Sequence, residues 1–116
     1  MKNIKMELIK NNEFDKIYEI MEEAFPIEEF REYERQKALL DKNNYFLYVC
    51  KNSRNEILGF ISFWKLDGFY YGEHLAVNER GRNGGIGSFI FNWCLEHLKG
   101  KHVLEVEVPD EEIKRR

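Results

Sequence analysis

The pattern of apolar and polar positions in the first third of the chain predicts one strand followed by two helices. Residues 4–9 alternate well enough to form the strand. Asn11 or Asn12 can cap the first helix, which Pro26 interrupts. The apolar positions at helical spacing in this helix are Phe14, Ile17, Tyr18, Met21 and Phe25. A charged segment over residues 27–41 predicts the second helix.

Three strands separated by short turns are predicted next. Residues 45–50 are aromatic and apolar, and residues 57–66 and 69–77 continue the strand pattern. Turn-forming residues lie between them at 52–55 and 67–68. We therefore expect three consecutive antiparallel strands.

A third helix and a further strand are predicted after the central strands. Apolar side chains recur at i, i+3, i+4, i+7 and i+8, which is typical of a helix with one buried face. These residues are Ile86, Phe89, Ile90, Trp93 and Cys94. Residues 102–108 alternate as a strand, and the helical crossover makes this strand parallel to the one that ends at Val77. Residues 109–112, with an early proline and three acids, begin another helix.

Composition narrows the class of protein. The 116 residues predict a single domain, residues 1–116, and the formal net charge of −3 argues against nucleic-acid binding through a basic field. No apolar run approaches the roughly 20 residues of a membrane span, and the N-terminus lacks a signal-peptide core. Cys50 and Cys94 form no metal-like pair, and a disulfide is the less favoured alternative for them. We expect a cytoplasmic protein without a metal site.

The segment between Val77 and the third helix is the most informative part of the sequence. Four glycines fall within residues 78–88, where backbone N–H groups can converge beside a helix N-terminus and bind an anion. A Walker loop is excluded because Gly87 is followed directly by Ser88, without the lysine that this loop requires between them. The dinucleotide fingerprint is excluded because its third glycine is absent. A glycine-rich turn without a ligand remains the alternative.

The spacing Arg82-x-x-Gly85-x-Gly87, together with the predicted element order, resembles the GNAT superfamily of N-acetyltransferases. The resemblance extends from Ile4 to Arg116. It implies an α/β fold with a mixed, mostly antiparallel sheet, flanking helices and the order β-α-α-β-β-β-α-β. It also implies transfer of the acetyl group of acetyl-CoA to an amine.

The resemblance implies which residues bind acetyl-CoA. The backbone of Leu75 and Val77 would pair with the pantetheine arm in the manner of an added strand. Backbone amides from Arg82 through Ser88 would hold the pyrophosphate, and Ser88 can add a hydroxyl donor. These residues are Arg82, Asn83, Gly84, Gly85, Ile86, Gly87 and Ser88. Asn78 stands where many relatives carry proline, a difference that we expect to be harmless.

Two residues on the last central strand are candidates for accepting the proton of the acceptor amine. Family members often carry a carboxylate base there, and we favour Glu73 over its neighbour His74. Because neighbours on a strand face opposite sides, only one of them should face the acceptor. Glu73 can instead be a solvated or cross-strand-paired carboxylate, and His74 a core histidine.

Acceptor recognition is expected at the connection between the first two helices. Residues 25–29 lie there, and Glu28 or Glu29 can meet a cationic amine. The alternative is that both are first-turn acids that favour the helix dipole.

The resemblance is incomplete at the C-terminal end. Complete family members continue with a full helix, which often supplies a tyrosine as general acid, and two more strands. Here every tyrosine lies at or before Tyr71. A truncated domain should expose apolar surface and an edge strand, so we expect a homodimer that covers them.

Two functions of different classes follow. The first is an N-acetyltransferase that acts on a small-molecule or protein amine. The second is a non-catalytic protein of the same fold that binds CoA or a protein partner. A domain without any ligand is the remaining alternative.

Overall fold

A computed structural model describes residues 3–79 and 84–98, together with the backbone of residues 101–103. Within these residues the strands are β1 (Lys5–Leu8), β2 (Tyr45–Lys51), β3 (Ile57–Leu66), β4 (Phe69–Val77) and β5 (Lys101–Val103). The helices of more than one turn are α1 (Phe14–Ala24), α2 (Tyr33–Ala38) and α3 (Ile86–His97). The predicted order of elements is therefore confirmed across the described part of the chain.

The strands form one sheet in the order β1-β2-β3-β4-β5. The first four are antiparallel neighbours, and β5 is parallel to β4, with Phe69 opposite Lys101. The predicted antiparallel arrangement of β2, β3 and β4 is confirmed, and so is the parallel pairing of β5 with β4. The rest of the predicted strand over 102–108 and the predicted helix from residue 109 lie outside the described residues.

Helices cover both faces of the sheet. Apolar side chains of α1 pack with β2, Phe60 and Ala76 on one face, and those of α3 pack with β3 and β4 on the other. The layers are close at Gly59, where an added Cβ would lie 2.7 Å from the Ala76 carbonyl oxygen and 3.2 Å from Ile90 Cδ1. The core thus fixes the C-terminal part of β4 relative to the helices.

The start of α1 differs from the sequence prediction. Neither Asn11 nor Asn12 caps the helix, because both belong to a short 3₁₀ turn, Asn11–Glu13, that precedes it. The Glu13 carboxylate instead accepts a hydrogen bond of 2.9 Å from the backbone N–H of Lys10. The predicted apolar face is confirmed, since Phe14, Ile17 and Met21 are buried.

The single helix predicted over residues 27–41 is wrong. The segment contains a 3₁₀ turn at Ile27–Glu29, the six-residue α2 and a second 3₁₀ turn at Leu39–Asp41. Phe30 is extended, with φ −147° and ψ 163°. The extended backbone before α2 turns the side chain of Arg31 toward the sheet, where it meets β4.

Cys50 and Cys94 are free thiols buried in the α3-side core. Burial raises the pKa of the Cys50 thiol to about 11 and that of Cys94 to about 12, so both stay protonated near neutral pH.

In the described residues, no helix has both the length and the apolar character needed to cross a membrane.

Candidate active site

A β-bulge lies in the middle of β4. Ser62 of β3 is opposite His74, whereas the next residue, Phe63, is opposite Gly72. Glu73 is therefore the extra residue of the bulge, and the alternation of side chains is interrupted there. The carboxylate Oε1 of Glu73 lies 3.7 Å from Nδ1 of His74. The prediction that the two side chains face opposite sides is wrong at this point.

The carboxylate of Glu73 is paired with a guanidinium group. Arg31 Nη1 donates to Glu73 Oε1 at 3.1 Å, and Nη2 donates to Oε2 at 3.0 Å. This bidentate geometry is the strongest that the two groups can form, and it raises the pKa of Arg31. A proton-accepting role for Glu73 must therefore compete with the ion pair.

The backbone of Arg31 is fixed on both sides by side chains. Its N–H donates to Gln36 Oε1 at 3.1 Å, and its carbonyl oxygen accepts from the Tyr18 hydroxyl at 3.0 Å. Gln36 is fully buried and donates in turn to the Tyr45 hydroxyl at 3.4 Å. Burial raises the pKa of Tyr45 to about 12, so this hydroxyl stays protonated. These contacts hold Arg31 in place at the site. Nothing in the sequence indicates this role.

His74 is 2% exposed and joins β4 to the 3₁₀ turn before Phe30. Its Nε2 lies 2.7 Å from the carbonyl oxygen of Glu29. Because a carbonyl can only accept, Nε2 carries a proton, and in the singly protonated ring Nδ1 presents a lone pair. Nδ1 has no hydrogen-bond partner in the described part of the chain. The burial of His74 agrees with the alternative that it is a core histidine. Its Nδ1 atom nevertheless lies beside Glu73 without a hydrogen-bond partner among the described residues.

These groups surround a pocket of about 420 Å³. Glu28, Glu29 and Tyr71 line it together with Arg31, Glu73 and His74. The structure therefore brings the predicted acceptor segment and the predicted proton acceptor to one pocket. Three carboxylates and one guanidinium give the pocket a negative formal charge. Within the described residues, no cluster of His, Cys, Asp and Glu side chains could hold a metal ion.

The glycine-rich segment leads directly into α3. Gly85 is the N-cap residue, with φ +78°, a left-handed conformation that glycine adopts without strain. The first helical hydrogen bond runs from Phe89 N–H to the Gly85 carbonyl oxygen, at 3.0 Å. The N–H groups of Ile86, Gly87 and Ser88 therefore lie in the first turn, where a helix has no backbone acceptor for them. The predicted residues Arg82 and Asn83 lie outside the described residues.

The end of β4 lies against the first turn of α3. A Cβ on Gly87 would meet the Val77 Cγ2 atom at 3.8 Å, an ordinary contact, so the fold has room for a methyl group there. Leu75, Val77 and Ile86 have buried side chains, which leaves only their backbone to meet a ligand. Ser88 and Gly84 are exposed. Binding of acetyl-CoA by these residues stays a prediction.

Comparison with known proteins identifies the family. Residues 14–114 match the acetyltransferase (GNAT) family model, and the chain belongs to this family. Members of the family use acetyl-CoA. A comparison with curated protein sequences gives no match.

Solved structures share the fold. A GNAT-family protein from Bacteroides thetaiotaomicron is 35% identical, with a TM-score of 0.78 over 97% of this chain and 65% of that one. The chain thus spans about two thirds of the length of that relative. An aminoglycoside acetyltransferase from an uncultured soil metagenomic sample, in complex with sisomicin, is 21% identical (TM-score 0.73, 97% and 82% covered). A ribosomal-protein-alanine N-acetyltransferase from Brucella melitensis is 16% identical (TM-score 0.72, 97% and 88% covered).

Proposed function

We propose that this protein is an N-acetyltransferase that transfers the acetyl group of acetyl-CoA to an amine bound in the Glu73 pocket. The observation that supports this most is the arrangement along β4. The strand has the pocket at its bulge and the α3 N-terminus at its end. Val77 lies four positions after Glu73, a span of about 13 Å at 3.3 Å per residue. The extended pantetheine arm of CoA is suited to bridging such a distance.

The first turn of α3 fits a pyrophosphate. Its N–H groups and the positive end of the helix dipole favour an anion, and the missing side chain at Gly87 lets the anion approach the backbone. In this proposal Leu75 and Val77 contact the arm through their backbone, and residues 82–88 hold the phosphates.

The acceptor must lose a proton before it can attack a thioester, and Glu73 remains our candidate for accepting it. The carboxylate is available once Arg31 is displaced from it. His74 Nδ1 lies 3.7 Å away and offers a second lone pair to the same ammonium group.

A two-stage experiment tests the proposal. Calorimetric titration with acetyl-CoA should show one binding site per chain. Release of free CoA thiol should then accelerate when cationic amines are added, compared with acetyl-CoA and protein alone. Absence of acetyl-CoA binding would overturn the assignment of the glycine-rich segment and the activity with it.

A CoA-binding protein without turnover is the second candidate. One observation favours it, namely the bidentate ion pair that engages both oxygens of Glu73. Binding of acetyl-CoA without thiol release across mono-, di- and polyamines would support this candidate over the enzyme.

We further propose that residues 1–116 form one acyl-CoA-binding domain, that the protein acts in the cytoplasm, and that it forms a homodimer. The dimer should have twice the 14.0 kDa mass of the chain. Light scattering coupled to size-exclusion chromatography measures this mass. A concentration-independent monomer would contradict the dimer.

A further inference from the structure

We propose that Arg31 is an internal counter-ion that occupies the position of the acceptor's ammonium group on Glu73, and that the acceptor is a small diamine or polyamine cation that displaces it. The inference deepens the proposed function, because it names the acceptor class of the same pocket. It depends on the contacts of Arg31, Glu73 and His74.

The contacts of the Arg31–Glu73 ion pair allow the arginine side chain to be replaced by another cation. Both backbone polar groups of Arg31 are held by Gln36 and Tyr18, so the main chain stays in place when the side chain moves. The side chains of Arg31 and Glu73 are 35% and 19% exposed. Water can therefore solvate the released guanidinium, whereas a fully buried arginine would be left uncompensated.

The acceptor atoms of Glu73 and His74 are better matched to an ammonium group than to the guanidinium of Arg31. Arg31 donates to both oxygens of Glu73, while Nδ1 of His74 receives no hydrogen bond from the described residues. An ammonium has three donors on one nitrogen. Placed between Glu73 Oε1 and His74 Nδ1, which are 3.7 Å apart, it can donate to both and still leave one N–H for water.

The charge of the pocket favours an acceptor with more than one cation. Glu28 and Glu73 both line the pocket, and Arg31 is paired with Glu73. An ammonium group bound at Glu73 leaves the Glu28 carboxylate at the rim. A second cationic group on the acceptor can approach Glu28, so a diamine gains attraction that a monoamine lacks.

Binding of propane-1,3-diamine to the protein without acetyl-CoA tests the proposal. The titration is followed by the ¹H–¹⁵N spectrum, with propane-1,3-diol as an uncharged ligand of the same shape. Arg31→Met should bind the diamine about tenfold more tightly than the wild type, because the competing cation is gone while the unbranched apolar stem of the side chain is kept. Glu73→Gln should lose the binding, and the diol should not bind either protein.

Two further variants make the result decisive. Arg35→Met removes an exposed arginine of α2 that lies 3.7 Å from Glu32, and it should leave the diamine affinity unchanged. Arg31→Lys cannot form the two-pronged contact, so it should tighten binding about threefold and decides the question if Arg31→Met does not fold.

Equal affinities for the wild type and the Arg31 variants, or no diamine binding by any of them, would overturn the inference. Because acetyl-CoA is absent from this titration, its outcome is independent of whether the proposed acetyl transfer holds. Tighter binding by Arg31→Met in a protein that does not bind acetyl-CoA would support the diamine site and reject the enzyme.

Discussion

Gly87→Ala should make the free protein more stable and acetyl-CoA binding weaker. The residue is the second in α3, where alanine is favoured over glycine by about 0.5–1 kcal/mol. Among the described residues, the added methyl meets only the Val77 Cγ2 atom, at an ordinary 3.8 Å, so no strain from them offsets the gain. The same methyl stands where a phosphate would approach the backbone. We expect at least a tenfold loss of affinity, about 1.4 kcal/mol.

A variant that is more stable but binds acetyl-CoA more weakly would show that Gly87 serves ligand binding and is not needed for the fold. Thermal unfolding without ligand measures the first effect, and calorimetry with acetyl-CoA measures the second. Gly87→Leu should abolish detectable binding, because its side chain fills more of the same space. Gly85 is less suitable for this test, since its φ of +78° strains any other residue.

Asn92→Ala is the matched control. Asn92 is exposed on α3, and its replacement also raises helix propensity, by about 0.5 kcal/mol. This variant should be stabilised with unchanged acetyl-CoA affinity. If Gly87→Ala behaved in the same way, the first turn of α3 would not be the phosphate site.

The elements that the sequence predicted well are those whose pattern is local. Strands β2, β3 and β4 are rich in apolar and aromatic residues and are bounded by turns, and α3 repeats its apolar side chains from Ile86 to Cys94. The spacing of Gly85 and Gly87 is equally local, so the family could be identified from it. In each case the residues that determine the structure lie next to one another in the chain.

The segment between α1 and β2 could not be predicted in the same way. Its conformation depends on contacts with distant residues, such as the Tyr18 hydroxyl on the Arg31 carbonyl oxygen. These contacts take the place of helical hydrogen bonds around Phe30 and Arg31. Residues 34–38 are polar or small, so no apolar stripe runs through the whole segment.

The candidate site depends on two features that have no sequence signal. The bulge at Glu73 is a matter of register between β3 and β4, which alternation alone cannot reveal. The partner of Glu73 is Arg31, 42 residues earlier. The sequence therefore pointed to Glu73 and to residues 25–29, whose roles stay predictions, but it gave no sign of the cation that pairs with Glu73.

Lys51→Met should lower the free energy of unfolding by about 3 kcal/mol. The Lys51 side chain is 3% exposed, and its ammonium donates to Glu7 Oε1 at 2.7 Å and pairs with Glu13. Methionine keeps the packing of the stem but leaves two carboxylates without their common partner. The expected loss is at the lower end for buried pairs, because Lys10 lies 3.7 Å from Glu7 and compensates in part.

The pH dependence of this loss identifies its cause. The hydrogen bond from Lys51 lowers the pKa of Glu7 below its usual 4.5. Burial alone would raise the pKa of Glu13, but hydrogen bonds from Lys51 and from the Lys10 backbone outweigh it and lower that pKa as well. A carboxyl whose pKa is lower in the folded protein contributes stability that is present above about pH 4.5 and is lost as the pH falls through the folded value.

The difference between wild type and Lys51→Met should therefore be full at about pH 7 and shrink toward about pH 3, as measured by urea unfolding at both values. Lys16→Met removes an exposed lysine of α1 that lies 3.6 Å from Glu19, and it should cost less than about 0.5 kcal/mol at either pH. A loss in Lys51→Met that did not change with pH would mean that the packing of the lysine stem stabilises the fold. A loss that disappears in acid would show that the charge network joining β1, β2 and the start of α1 does so.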